Sequence, residues 1–183
     1  MKKKVIPLKK IKIYEQERSS TCGPAALRTF LSYFKIFKTE KQLVRLCKTT
    51  KAEGTGPNKM IEALEQLSFK THHGSWASGK KSWKILDHYI NKMKLPVIVD
   101  WFSTFGHGWD GHYSVVLKLT RDRITLADPE FHSKKERMHD ISWRNFLTAW
   151  FDFNGDCVTR SNVFARWWLT GYPAPLSKKD KNK

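Results

Sequence analysis

The stretch QERSSTCGPAALRTF, Gln16–Phe30, sets one cysteine directly before Gly-Pro at a point where a helix begins. Ser20 or Thr21 suits the N-cap, and Pro24 suits the first turn, where a missing N–H costs nothing. Leu27, Phe30, Leu31 and Phe34 follow at helical spacing, which predicts a helix over Cys22–Phe37 with a buried face. A cysteine there admits two readings. Free cysteine is among the most buried residue types and packs as a small hydrophobe. A helix N-terminus also favours the thiolate through its unpaired N–H groups and macrodipole, and a thiolate is a nucleophile.

Downstream, TEKQ at Thr39–Gln42 is a capping box that opens a second helix through Val44 and Leu46. After the loop GTGPN, Asn58–Leu67 reads as a third helix with Met60, Ile61, Leu64 and Leu67 inward, and Ser82–Met93 as a fourth. The pattern then changes period. Val97–Phe102 is rich in β-formers, Gly106–Gly111 (GHGWDG) is a glycine-rich loop, and His112–Leu119 and Arg123–Ala127 read as strands joined by TRDR. Ser142–Trp150 reads as a helix and Val163–Leu169 as a last strand. Helices first, then a mostly antiparallel sheet, is an α+β order.

The chain has 183 residues, 40% hydrophobic and 13% aromatic, which supports one domain with a real core. No apolar run approaches the roughly 18 residues of a membrane helix, and the basic N-terminus lacks the apolar stretch of a secretion signal. The net charge of +17 is concentrated at the ends: Met1–Lys12 carries six lysines and no acid, and Ser177–Lys183 four lysines and one Asp. Residues 1–12 and 177–183 are therefore expected to be solvated basic tails around a single domain over 13–176. The aromatics fall inside apolar patterns rather than between basic residues, and no RNP or zinc-finger pattern occurs, which argues against a nucleic-acid partner.

Cys22, Cys47 and Cys157 are odd in number and far apart, with no CxxC among them. That speaks against a zinc ribbon, a redox pair or a disulfide scaffold, and for reduced thiols in the cytoplasm. Cys47 falls on an apolar helical face beside Val44 and reads as core, and Cys157 as structural or surface. His107, Asp110 and His112 lack the fixed spacing of a metal motif, so no metal or cofactor is expected. His72 and His73 read as a solvent-exposed pair, while Trp101 and Trp109 could line a substrate groove or be core.

A nucleophilic thiol needs a base, the base needs a group to hold its tautomer, and the oxyanion needs donors placed beforehand. Gln16 lies six residues before Cys22, a reach suited to an amide donor. His112 starts one predicted strand and Asp128 ends the next, and across a hairpin those two ends face each other. His112 and Asp128 can therefore lie side by side, sixteen residues apart in sequence.

Gln16–Leu27 (Q-x5-CGPAAL), Gly111–Leu117 (GHYSVVL) and Ala127–Pro129 (ADP) together resemble the C39 and C39-like peptidases of the papain-like clan. The resemblance covers about Tyr14–Pro129 and keeps the chain order Gln, Cys, His, Asp. It implies a papain-like fold with a helical half carrying Cys22 and a sheet half carrying His112 and Asp128. It also implies roles: Cys22 as nucleophile, Gln16 with the Cys22 N–H as oxyanion hole, His112 as base and then acid, Asp128 as its orienting group. The implied reaction is amide cleavage through a thioester. Bacteriocin-leader members usually carry an acidic or amide residue before the nucleophile and are commonly fused to a transporter; here Thr21 stands there and no membrane segment follows. Both departures point away from a double-glycine leader as substrate.

The basic body suggests an acidic peptide or protein substrate. Two other functions fit the same residues. The acyl-enzyme could pass to an amine, giving an acyl transferase or deamidase. The fold could instead serve as a peptide-binding module, which would have no need of all four residues.

Overall fold

The computed structural model describes residues 7–103, 110–131, 133, 137–153 and 162–175. His107, Trp109, the Asp110 side chain, Cys157, residues 1–6 of the first lysine-rich end and all of the second lie outside the described residues.

Helix α1 spans Cys22–Tyr33, shorter than its apolar pattern suggests. Lys35 turns into the left-handed region at φ 59°, Lys35 N–H donates to Ser32 O, and Ile36 N–H donates to Leu31 O. That pair of bonds is a Schellman ending, so the apolar residues after Phe34 leave the helix axis. Eleven of its twelve residues are buried, so α1 is a central helix rather than a surface one. Helix α2, Glu40–Leu46, starts at the expected capping box: Gln42 N–H donates to Thr39 Oγ1 and Thr39 N–H to Gln42 Oε1. Helix α3, Pro57–Gln66, begins one residue earlier than expected, with Pro57 in its first turn after Gly56. Helix α4, Gly79–Asp87, is capped by Ser78 and runs on into a π-turn over His88–Lys92.

Among the described residues, eight strands follow one another: β1 Phe69–Gly74, β2 Val97–Ser103, β3 Asp110–Leu119, β4 Arg123–Ala127, β5 Met138–Ser142, β6 Phe151–Phe153, β7 Val163–Ala165 and β8 Trp168–Pro173. Helix α5, Trp143–Ala149, lies between β5 and β6 with Ser142 as its N-cap. Six strands form one antiparallel sheet in the order β1-β8-β2-β3-β4-β5, and β6 pairs with β7. The last strand expected over Val163–Leu169 is two strands, broken where Arg166 takes φ 56°.

Strand β1 was not foreseen. His72 and His73 lie within it, and His72 is half-buried, its ring 5.8 Å from both the Tyr89 and Tyr172 rings. Only His73 of that pair is exposed, because alternate strand residues face opposite ways.

The sheet is covered on both faces. Cys22, Ala26, Leu27 and Phe30 of α1, with Leu43, Met60 and Leu64 of the next two helices, pack on Ile98, Tyr113, Val115 and Leu169. Leu86, Ile90, Phe146 and Trp150 pack on Val97, Val99, Val116 and Leu126 on the opposite face. The helical half expected on one side is therefore only α1–α3, while α4 and α5 close the other. Trp101 belongs to that second core and donates through Nε1 to Ser114 Oγ, so it lines no groove. Leu8 and Ile11 also pack into the core, which makes part of the expected N-terminal tail a component of the fold. Lysine count suggested the tail; the apolar residues between the lysines anchor it.

Candidate active site

Cys22 is the first residue of α1 and is buried. No side chain caps this helix: Thr21 Oγ1 instead donates to Arg18 O and accepts from Arg18 N–H, closing the preceding turn. The N–H groups of the first turn are thereby left for other partners. Gly23 allows this close seat, since a Cβ there would come within 3.0 Å of Thr55 and 3.2 Å of Met60 Sδ.

His112 and Asp128 meet as the hairpin geometry requires. His112 Nε2 lies 2.6 Å from Asp128 Oδ1, with both side chains almost fully buried. Cys22, at the start of α1, packs in the same core as Tyr113 and Val115 of the strand that carries His112, close enough to act on the His112 ring electrostatically. Burial opposes a charge on His112, but the Asp128 hydrogen bond and the nearby Asp128 and Cys22 side chains outweigh it and hold its pKa well above the usual range. Burial likewise opposes the Asp128 charge. The His112 bond, the neighbouring His139 ring and the Glu130 N–H overcome that and hold Asp128 well below the ordinary carboxylate range.

Gln16 is joined to the same corner by its backbone, whose N–H donates to Pro129 O at 2.8 Å. Its side chain is turned so that Nε2 lies 3.5 Å from Ser19 O while Oε1 is buried with no hydrogen-bond partner. The loop 16–21 is held from below by Glu40, a buried side chain whose Oε1 accepts the Glu17 N–H at 2.8 Å. Beside that loop opens a cavity of about 800 Å³ lined by Arg18, Thr21, Glu40, Lys41 and Lys51 among others.

Three groups of the site were missed from the sequence. His139 of β5 places Nε2 3.1 Å from Asp128 Oδ2. No element is expected from the sequence between Pro129 and Ser142, and only the strand register reveals the contact. Asp100 of β2 is buried beside Cys22; burial, then the charges of Asp152 and Cys22, push its carboxyl well above the usual range. Tyr113, paired with Asp100 across β2 and β3, is held above the ordinary phenol range by burial and then by Asp100. An acid inside an apolar run, Val97–Phe102, was the available signal for Asp100. Cys47 is core, as expected, with burial pushing its thiol up to about 12. Among the described residues, no group of three or more His, Cys, Asp or Glu is placed to hold a metal ion. No described helix is long and apolar enough to cross a membrane.

The sequence pattern of the peptidase C39 family matches residues 10–151, which take in all four expected site residues. The chain belongs to the peptidase C39 family. An uncharacterized protein of Methanothermobacter thermautotrophicus is 33% identical over 117 residues, covering 64% of this chain and 70% of that protein. Among solved structures, the peptidase domain of Streptococcus ComA, a bi-functional ABC transporter involved in quorum sensing, superposes with a TM-score of 0.65. Identity is 20%, over 90% of this chain and 99% of that one. A double-glycine-motif protease from an AMS/PCAT transporter, solved with its leader peptide, superposes with a TM-score of 0.63 at 16% identity, over 90% and 93% of the two chains. The family match thus extends past the expected resemblance, through β5 and α5.

Proposed function

We propose that this C39 family member is a cysteine peptidase that cleaves peptide amide bonds through a thioester acyl-enzyme. Cys22 Sγ attacks the carbonyl carbon. With Nε2 committed to Asp128, the other ring nitrogen, Nδ1, carries the proton: His112 delivers it to the leaving amine, and later takes one from the water that cleaves the thioester. Asp128 holds the tautomer. The Cys22 N–H and the Gln16 amide stabilise the oxyanion, for which the Gln16 side chain must present Nε2 to the site when substrate is bound. The observation that carries this reading is the buried His112–Asp128 pair at 2.6 Å on the strand against which the Cys22 helix start is packed.

A peptide substrate is supported by membership of a peptidase family and by the likeness to a protease solved with its leader peptide. The cavity beside the 16–21 loop carries Arg18, Lys41 and Lys51 on its exposed rim, which together with the net charge of +17 favours an acidic peptide. A reducing compartment, the cytoplasm, suits a nucleophilic thiol.

The test is digestion of a peptide library holding acidic and neutral sequences, read by mass spectrometry, with hydroxylamine added in parallel. Turnover by the parent, hydroxamate products with hydroxylamine, and no turnover by Cys22→Ala are the expected results. Cleavage surviving in Cys22→Ala would sink the assignment. A KM for acidic peptides that ignores salt would sink the substrate class.

A further inference from the structure

We propose that Glu40 is a positioning residue for the oxyanion hole: its buried carboxyl anchors the chain at Glu17 and thereby aims the Gln16 amide. The proposal rests on the peptidase reading, with Gln16 as oxyanion donor. Its warrant is a pair of backbone bonds on either side of one Cα. The Gln16 N–H donates to Pro129 O at 2.8 Å, which ties that peptide unit to the corner after β4. The next amide, the Glu17 N–H, donates to Glu40 Oε1 at 2.8 Å, which ties the following unit to α2. Glu40 is the first residue of α2, and the capping box of Thr39 and Gln42 fixes that start. The backbone at Gln16 is therefore strung between the sheet and a helix.

Peptide units are planar, and the soft backbone angles of Gln16 lie between these two anchored units. Holding both planes fixes the direction of the Gln16 Cα–Cβ bond. That matters because the side chain itself is weakly held: Nε2 is 3.5 Å from Ser19 O and Oε1 is buried with no hydrogen-bond partner. Glu40 is 1% exposed. Among the described residues the Glu17 bond is the only hydrogen bond of its carboxyl, Oε2 being buried without one. Burying a carboxyl for a single bond is costly, and an apolar residue would fill the site at lower cost. What the carboxyl contributes is the position of the chain it holds. Without it the unit between Gln16 and Glu17 is free to turn, and the amide drifts from the place where the oxyanion forms. Misplacing a reacting group by about 1 Å costs on the order of a hundredfold in rate. The His112–Asp128 pair is anchored separately, by strand pairing and the Glu130 N–H, so the reactivity of the thiol itself should not change.

The experiment compares Glu40→Gln, Glu40→Asp and Glu40→Leu with the parent, in a Cys47→Ala, Cys157→Ser background. Glutamine keeps an acceptor oxygen at the same reach without the charge. Aspartate keeps the charge one methylene short, and leucine keeps neither. Two modifications of Cys22 are timed by mass spectrometry, below the unfolding temperature of each variant. Acetylation by p-nitrophenyl acetate, in which Sγ takes the acetyl group and p-nitrophenolate leaves, builds an oxyanion; alkylation by iodoacetamide does not. Acetylation should slow by about tenfold to hundredfold in the Asp and Leu variants and stay within about threefold of the parent in the Gln variant, with alkylation within about twofold in all three. In a Gln16→Ala background, where acetylation is already about a hundredfold slower, Glu40→Asp should cost less than about threefold more, because the donor it aims is gone. Parent-like acetylation in the Asp and Leu variants, or in Gln16→Ala, overturns the proposal. So does a loss in the Gln variant without one in the Asp variant, which marks the charge, or an equal Glu40→Asp loss in both backgrounds. Alkylation that falls in step with acetylation also overturns it, since that marks a structural role. Neither reagent needs a peptide. Failure of the peptidase reading therefore shows separately, as cleavage that persists in Cys22→Ala or as no cleavage of any library peptide.

Discussion

Asp128→Asn keeps the shape of the side chain and removes its charge. In the parent, Asp128 Oδ1 takes hydrogen bonds from His112 and the Glu130 N–H while almost fully buried. A hydrogen bond to a charged group contributes about 1.5–3 kcal/mol to stability against about 1 for a neutral pair, so neutralising a shared acceptor loses about 1 kcal/mol per bond. Two bonds give a loss of about 2 kcal/mol at pH 7. In a chain of this length about 1 kcal/mol moves Tm by 2–4 °C, so the variant should melt roughly 4–8 °C lower. The pH dependence carries more information than the size. The folded protein holds Asp128 below its unfolded pKa, so its contribution is complete above the ordinary carboxylate range and is lost as pH falls through the lowered value. The gap between parent and variant should therefore be widest near neutrality and should shrink below about pH 4. Urea unfolding at pH 7, 5 and 3 measures it. A gap that stays flat across that series, or one below about 1 kcal/mol at pH 7, would show that the charge of Asp128 is not what the network stabilises. Activity should fall about 10⁴-fold, because His112 loses the partner that fixes its tautomer.

Asp100→Asn should stabilise the protein at pH 7 and do little at pH 4. Burial and then the Asp152 charge raise the folded pKa of Asp100, so its carboxyl opposes folding as pH rises above the unfolded value; a Tm gain of about 2–4 °C confined to neutral pH is expected, and an equal shift at both pH values would refute it. Gly111→Ala brings a methyl within 2.1 Å of both Asp152 carboxylate oxygens, directly before His112. It should cost about 1–3 kcal/mol and lower kcat as the start of β3 shifts; parent-like unfolding and turnover would show that Asp152 moves aside freely. Cys47→Ala empties part of a fully buried site at a cost of about 1–2 kcal/mol and should leave peptide cleavage unchanged. In the native Cys22→Ala, Cys157→Ser background, Cys47 should resist iodoacetamide, its thiol being pushed up to about 12; labelling at the rate of a free thiol would contradict its burial.

How much could be read in advance varied with the range of the interaction. The α2 capping box, the start of α1 at Cys22 and the two strands that carry His112 and Asp128 were legible, because caps, turns and periodicity act over a few residues. The end of α1 was not, since Phe34 and Phe37 continue the apolar pattern while the left-handed turn at Lys35 breaks the axis. Strand β1 escaped for a different reason. Phe69–Gly74 pairs with Pro173–Trp168, about a hundred residues away, and KTHH carries little β signal until that partner is beside it. Trp101 was left open between groove and core, and only packing against Phe146 and Ser114 decided it.

By itself, the sequence determined the chemistry on offer: a helix start at Cys22, a glutamine six residues before it, and a histidine and an aspartate at facing strand ends. Those follow from local rules, and the motifs in that order resemble the C39 family. The tertiary structure alone decided what surrounds them. It covered the sheet with α4 and α5 on its second face, buried Asp100 and Tyr113 behind the thiol, and put His139 on the far oxygen of Asp128. The physical reason is register. Which side chains share a face across three strands depends on pairings between distant segments, and a shift of one residue would send His139 to the opposite face.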